Sequence, residues 1–103
     1  MSAASKSTSL ERIVAIHAIR DRFKGDNAAA QRARLLAVLQ ELGGASTFEL
    51  SRFADIYYPP ARKLELKNEG HDILTLRRET LTEAGVIHWV GVYTLKRGGA
   101  AGK

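Results

Sequence analysis

STFELSRFADIYYPPARKLELKNEG, residues 46–70, decides the fold of this 103-residue chain. Its spacing predicts two short helices joined by a tight turn, the second presenting its N-terminal end outward. Ser46 and Glu49 form a capping-box pair: the Ser46 hydroxyl can accept from the Glu49 amide while the Glu49 carboxylate reaches back to the Ser46 amide. Leu50, Phe53 and Ala54 then recur at helical spacing on one side, and Ile56 follows as an apolar anchor once Asp55 has broken the pattern.

Tyr58, Pro59 and Pro60 set where the second helix begins. Each proline pushes the residue before it out of the α region, which makes Pro60 the first comfortable helical position. No Ser, Thr, Asp or Asn stands there as a cap. The backbone donors of Ala61, Arg62 and Lys63 then lack a side-chain acceptor and lie beside two cations at the positive end of the helix dipole, which describes an anion site. The competing reading leaves water on those amides and makes the double proline only a rigid stop.

Composition bounds the remaining choices. A chain of this size builds one domain with a modest core and no deep cleft between lobes. With no cysteine, disulfides, thiolate zinc sites and cysteine nucleophiles are excluded, and a cytoplasmic location is expected. The opening MSAASKSTS is polar, and Glu11, Arg12, His17 and Arg20 interrupt the first apolar segment, so neither a signal peptide nor a membrane span is expected. The formal net charge is +5, but Lys6, Lys96, Arg97 and Lys103 lie near the ends and the rest carries only +1 (5 − 4). Pattern, rather than net charge, must therefore point to a polyanionic partner.

Residues 1–9 and 96–103, rich in Ser, Ala, Gly and Lys, are expected as disordered tails around a single domain at residues 10–95. LERIVAIHAIRDRF, residues 10–23, fits neither one narrow helical stripe nor a clean alternation. Ser9 as a cap favours the helix, and a strand stays open. Either way the segment must be covered on more than one side, by the domain or by a second copy. KGDN, residues 24–27, is turn chemistry, and Asn27 caps a helix reading AAAQRARLLAVLQEL that ends at Gly43 and Gly44. Leu35, Leu39 and Leu42, widened by Leu36 and Val38, form its core stripe, with Gln31, Arg34 and Gln40 largely outside it.

On the helix from Pro60, Ala61, Leu64 and Leu66 are the candidate inward residues and Gly70 closes the element. Arg62, Lys63 and Lys67 give an outward basic edge offset by Glu65 and Glu69; the plainer alternative is a solvated face with Arg62 paired to one of those carboxylates. HDILTLRRE, residues 71–79, and VIHWVGVYTL, residues 86–95, read as strands joined by a tip at residues 80–85. Arg77 and Arg78 flank that tip, as in a wing that lies along a phosphate backbone or a minor groove.

This order of elements is that of an α+β winged helix-turn-helix: a three-helix core, a C-terminal β-hairpin wing and an extra N-terminal element. The runs AAAQRARLLAVLQ, STFEL, PPARKLELKNEGHDI and VGVYTL also resemble a family of small helix-turn-helix proteins encoded mainly by bacteriophages, prophages and plasmids, over residues 23–95. The resemblance implies a winged-helix fold and DNA binding, with Arg62 and Lys67 on the recognition helix. Residues 10–22 fall outside it, and Lys63 stands where that family's pattern leads one to expect an aliphatic residue.

His17, His71 and His88 lie far apart with no second ligand at metal spacing, and there is no phosphate loop, no nucleophile elbow and no pair of carboxylates in an evident pocket. No enzymatic activity, metal, cofactor or small-molecule ligand is therefore expected. The expected function is sequence-specific binding of double-stranded DNA by a homodimeric transcriptional regulator, with residues 60–69 in the major groove. Pro60 would open that helix, Arg62 and Lys63 would reach base edges, Tyr58 and Lys67 would fix phosphates, and Arg77 and Arg78 would add backbone contacts. The alternative is a winged-helix adaptor for protein contacts, supported by the low charge of the ordered core and the apolar strand at residues 86–95.

Overall fold

In the computed structural model, which describes residues 8–81 and 84–96, four helices are combined with a three-stranded antiparallel sheet whose first strand lies between the second and third helices. The first helix, α1 (Leu10–Arg22), is capped by the Ser9 side chain, which accepts from the Arg12 amide. The strand alternative for this segment is thereby excluded. Ile16 and Ile19 drive it into the core, whereas Leu10 and Val14 remain 76% and 59% exposed, so the domain covers one side of the helix only. Thr8 and Ser9, assigned above to the N-terminal tail, are tied into the fold, and at the other end the Lys96 amide donates to the Asp72 carbonyl. The remainder of both expected tails lies outside the described residues.

The second helix, α2 (Ala28–Leu42), begins at the Asn27 cap and ends at Gly43, whose φ of +88° carries the chain through the left-handed turn that glycine tolerates best. Gly44 is needed for a different reason. A Cβ there would lie 3.1 Å from the Tyr93 carbonyl oxygen and 3.0 Å from a Thr94 methyl, so the strand pairing leaves no room for one. That pairing joins β1 (Gly44–Ser46) to the far strand, β3 (Ile87–Leu95), which pairs in turn with β2 (Ile73–Leu81), giving the order β1-β3-β2.

Between β1 and β2 lie α3 (Thr47–Arg52) and α4 (Pro59–Asn68). The capping box at α3 is complete in both directions. The helix closes with the Ile56 amide donating to the Leu50 carbonyl while Asp55 takes φ +57°, a left-handed turn with aspartate where glycine is usual. Leu50, Ala54 and Ile56 from this unit join Ile16, Ile19, Leu35, Val38, Leu39, Ala45, Leu66, Ile73 and Tyr93 in one continuous core.

Three expectations are corrected at the level of the fold. Gln31 and Arg34, placed outside the α2 core stripe, are 4% and 2% exposed. Helix α4 starts one residue earlier than expected, at Pro59. The hairpin strands are shifted along the chain: β2 runs from Ile73 to Leu81 rather than over residues 71–79, and β3 begins at Ile87 rather than residue 86. Arg77 and Arg78 thus pair with Gly91 and Val90 within the ladder instead of flanking the tip.

Candidate nucleic-acid interface

Two buried polar side chains of α2 fix the turn that launches α4. The Gln31 side chain accepts from the Tyr57 amide at 3.0 Å and donates to the Asp26 carbonyl at 2.7 Å. The Arg34 guanidinium donates to the carbonyls of Phe23, Gly25 and Asp55 at 2.6, 2.8 and 2.8 Å. Phe23 caps the C-terminal end of α1 and Asp55 follows that of α3, so the buried cation lies against the negative ends of two helix dipoles. The α1–α2 loop and the α3–α4 turn are therefore held by one side chain, which sets where α4 begins.

The start of α4 does not make the anion site that its missing cap suggested. Tyr58 occupies the cap position without a side-chain hydrogen bond, as expected. But Pro59 and Pro60 bring no N–H, and the amides of Ala61 and Arg62 both point back to the Tyr58 carbonyl at 3.1 and 3.4 Å. Lys63, fifth in the helix, lies beyond the first turn, where the helix ladder takes the amide. The double proline consumes the free donors rather than exposing them.

The phase of the helix also differs from the sequence reading. Pro59 and Leu66, seven residues apart, are the buried pair, and Leu64, expected inward, is 56% exposed. Arg62, expected at the outer shoulder, turns inward: its side chain is 18% exposed and lies 2.8 Å from Glu65. Arg32 of α2 holds the same Glu65 at 3.0 Å and Glu69 at 3.3 Å, so the two acidic residues of α4 are drawn toward α2. Hydrogen bonding from Arg32, then from Arg62, outweighs desolvation and holds the Glu65 carboxyl below the usual carboxylate range. The outward stripe is left to Pro60, Leu64, Lys67 and Asn68, with Ala61 half-buried at its margin. Leu64 and Asn68 were missed; the seven-residue spacing of Pro59 and Leu66 was the signal that could have found them.

The other candidate residues are distributed around this stripe. Tyr58 is 64% exposed and Tyr57 84%, both immediately before the helix. Lys63, expected on the outward edge, leans on the sheet instead, with Nζ 3.0 Å from the Thr75 hydroxyl and 5.1 Å from the Tyr93 ring centroid. Lys67 is exposed and its Nζ reaches the Ile73 carbonyl at 3.3 Å. On β2 successive side chains alternate, so Arg77 shares the α4-facing side with Thr75 and Arg78 occupies the opposite side; both are exposed.

Among the described residues no group of three or more His, Cys, Asp or Glu side chains could hold a metal ion, and no helix is long and apolar enough to cross a membrane. Neither a curated protein nor a solved structure shows significant similarity to the chain. A family model described as a winged helix-turn-helix domain matches residues 30–98, from the first turn of α2 through the hairpin. Helix pair, buried turn and antiparallel wing are the parts that this match spans, and the chain belongs to the winged helix-turn-helix family.

Proposed function

We propose that the protein binds double-stranded DNA in a sequence-specific way and acts as a transcriptional regulator of the kind carried by phages, prophages or plasmids, working in the cytoplasm as a homodimer. The observation that carries this reading is the outer side of α4. Its acidic residues are withdrawn into pairs with Arg32 and Arg62, its remaining outward side chains are uncharged or cationic, and Arg77 and Arg78 lie exposed on the adjoining hairpin. Such a helix can enter a major groove without bringing a free carboxylate against phosphate, while the hairpin arginines neutralise the flanking backbone.

In this reading Pro60 leads α4 into the groove, Tyr58 and Lys67 contact phosphate, Lys63 contributes charge from the sheet side, and Arg62 braces the helix through Glu65 rather than reading a base. Titration of a fluorescent duplex across salt concentrations tests it: log affinity falls linearly with log salt, and Arg78→Ala lowers the slope by about one while weakening all sequences alike. An unchanged slope removes Arg78 from the interface. Leu10 and Val14, one turn apart and exposed on α1, support a second copy meeting the first along that helix. Sedimentation is expected to give twice the chain mass, and Val14→Lys to return it to one.

A second reading is favoured by the hairpin itself, where Ile87 and Trp89, two residues apart on one face of β3, are 53% and 58% exposed. That apolar surface suits a protein contact, and a winged-helix adaptor would use it without DNA. Salt-independent, weak retention on heparin and on random duplex is the result that selects this alternative.

A further inference from the structure

The outward stripe of α4 limits which bases it can read. In the major groove guanine is most often recognised by two N–H groups of one arginine, adenine by the two ends of an asparagine or glutamine amide, and thymine by apolar contact with its methyl group. Arg62, the one arginine of α4, is held by Glu65 on the side that packs toward α2. Lys63 and Lys67 direct their ammonium groups to Thr75 and to the Ile73 carbonyl, on the sheet side of the helix. What remains toward a groove is Pro60, Ala61, Leu64 and Asn68. The Asn68 amide is exposed and has no hydrogen-bond partner among the described residues.

Resting on the DNA-binding reading above, we infer that α4 selects A·T pairs, with the Leu64 side chain covering a thymine methyl and the Asn68 amide pairing with the major-groove edge of an adenine. An isobutyl group laid over guanine O6 or cytosine N4 strips water from a polar group and returns no hydrogen bond, whereas over thymine it meets carbon. The two residues are one helical turn apart, a rise of about 6 Å, which spans roughly two base-pair steps. The site is therefore a short run of A·T pairs rather than two separated positions. Such runs narrow the minor groove and deepen its negative potential, which attracts arginine. Arg77 and Arg78, exposed on opposite sides of the hairpin, carry the charge that this groove favours.

Selection of the full chain against a randomised duplex pool, followed by anisotropy titrations, tests the inference. The selected sites share adjacent A·T pairs at their centre. Replacing the central thymines by deoxyuridine removes only the methyl groups and weakens binding about threefold to fivefold for each methyl under Leu64, the worth of one buried carbon at about 0.8 kcal/mol. Leu64→Ala abolishes that thymine-over-uracil difference, and Asn68→Ala relaxes the adenine preference. Because both side chains are exposed, these truncations leave the core intact. Selected sites centred on G·C pairs, or indifference to deoxyuridine, overturn the A·T assignment while salt-dependent binding to duplex leaves the DNA-binding reading standing. Absence of binding to any duplex at low salt overturns both.

Discussion

Replacing Arg34 by alanine removes about 3–5 kcal/mol of folding stability. The side chain is 2% exposed, and its guanidinium serves three carbonyls that belong to two separate loops. Truncation strands those carbonyls where no side chain can reach them, at about 1–3 kcal/mol for each that water does not recover. A domain of this size has about 5–15 kcal/mol in total, so the loss is a large share of it. No carboxylate pairs with this cation among the described residues; the C-terminal ends of α1 and α3 take that role through their carbonyls and dipoles. Lysine is then a poor substitute, because one ammonium cannot span the Phe23 and Asp55 carbonyls as the forked guanidinium does. Urea denaturation of the alanine and lysine variants measures the loss. A cost below about 1 kcal/mol for alanine would mean that the loops hold their geometry without the clamp.

The same residue marks the boundary of what the sequence discloses. Ser46 with Glu49, Asn27 before the alanines, Gly43 after Leu42 and Ser9 before Leu10 are local chemistry: each cap satisfies a donor or acceptor within a few positions, so its meaning is carried by its neighbours. The order of helices and strands, and with it the winged helix-turn-helix fold, follows from those caps. Arg34 and Gln31 are different. Nothing adjacent shows that carbonyls from residues 23–26 and a turn at residues 55–57 converge on α2, and without them a buried arginine has no justification. The phase of α4 differs as well. Leu66 is inward as its spacing suggests, but the second buried position belongs to Pro59, seven residues earlier, and not to Leu64. Arg62 then swings toward Glu65, and the outer stripe that a DNA groove would meet changes composition from basic to mixed apolar and amide. Hairpin register was hidden in the same way, since where Arg77 and Arg78 fall along the wing depends on pairing that begins far from them, at Ile73 with Leu95.

Glu49→Gln is the second large effect, and it depends on pH. The carboxylate accepts from the Ser46 amide at 3.0 Å, from Arg12 Nε at 2.8 Å and Nη2 at 3.1 Å, and from the Thr8 hydroxyl at 3.0 Å. Arg12 also donates to the Gly44 carbonyl, so this carboxylate joins the start of α1 to β1 and to the cap of α3. Burial alone would raise its pKa, but the donors and the charge of Arg12 outweigh that and hold it below its ordinary value. A glutamine keeps the shape yet turns one oxygen into a donor facing other donors, at a cost of about 2–3 kcal/mol near neutral pH. Because the folded carboxyl binds its proton less readily than the unfolded one, the stabilisation is complete above the unfolded pKa of about 4.3 and is lost as pH falls through the lower folded value. Wild type and Glu49→Gln therefore converge in stability below that window. Glu65 and Asp21, whose carboxyls are also held low, titrate identically in both proteins and cancel in the difference. Removing Arg12 as well completes a double-mutant cycle, in which a coupling that vanishes at acid pH assigns the effect to the ion pair and one that persists assigns it to the capping geometry.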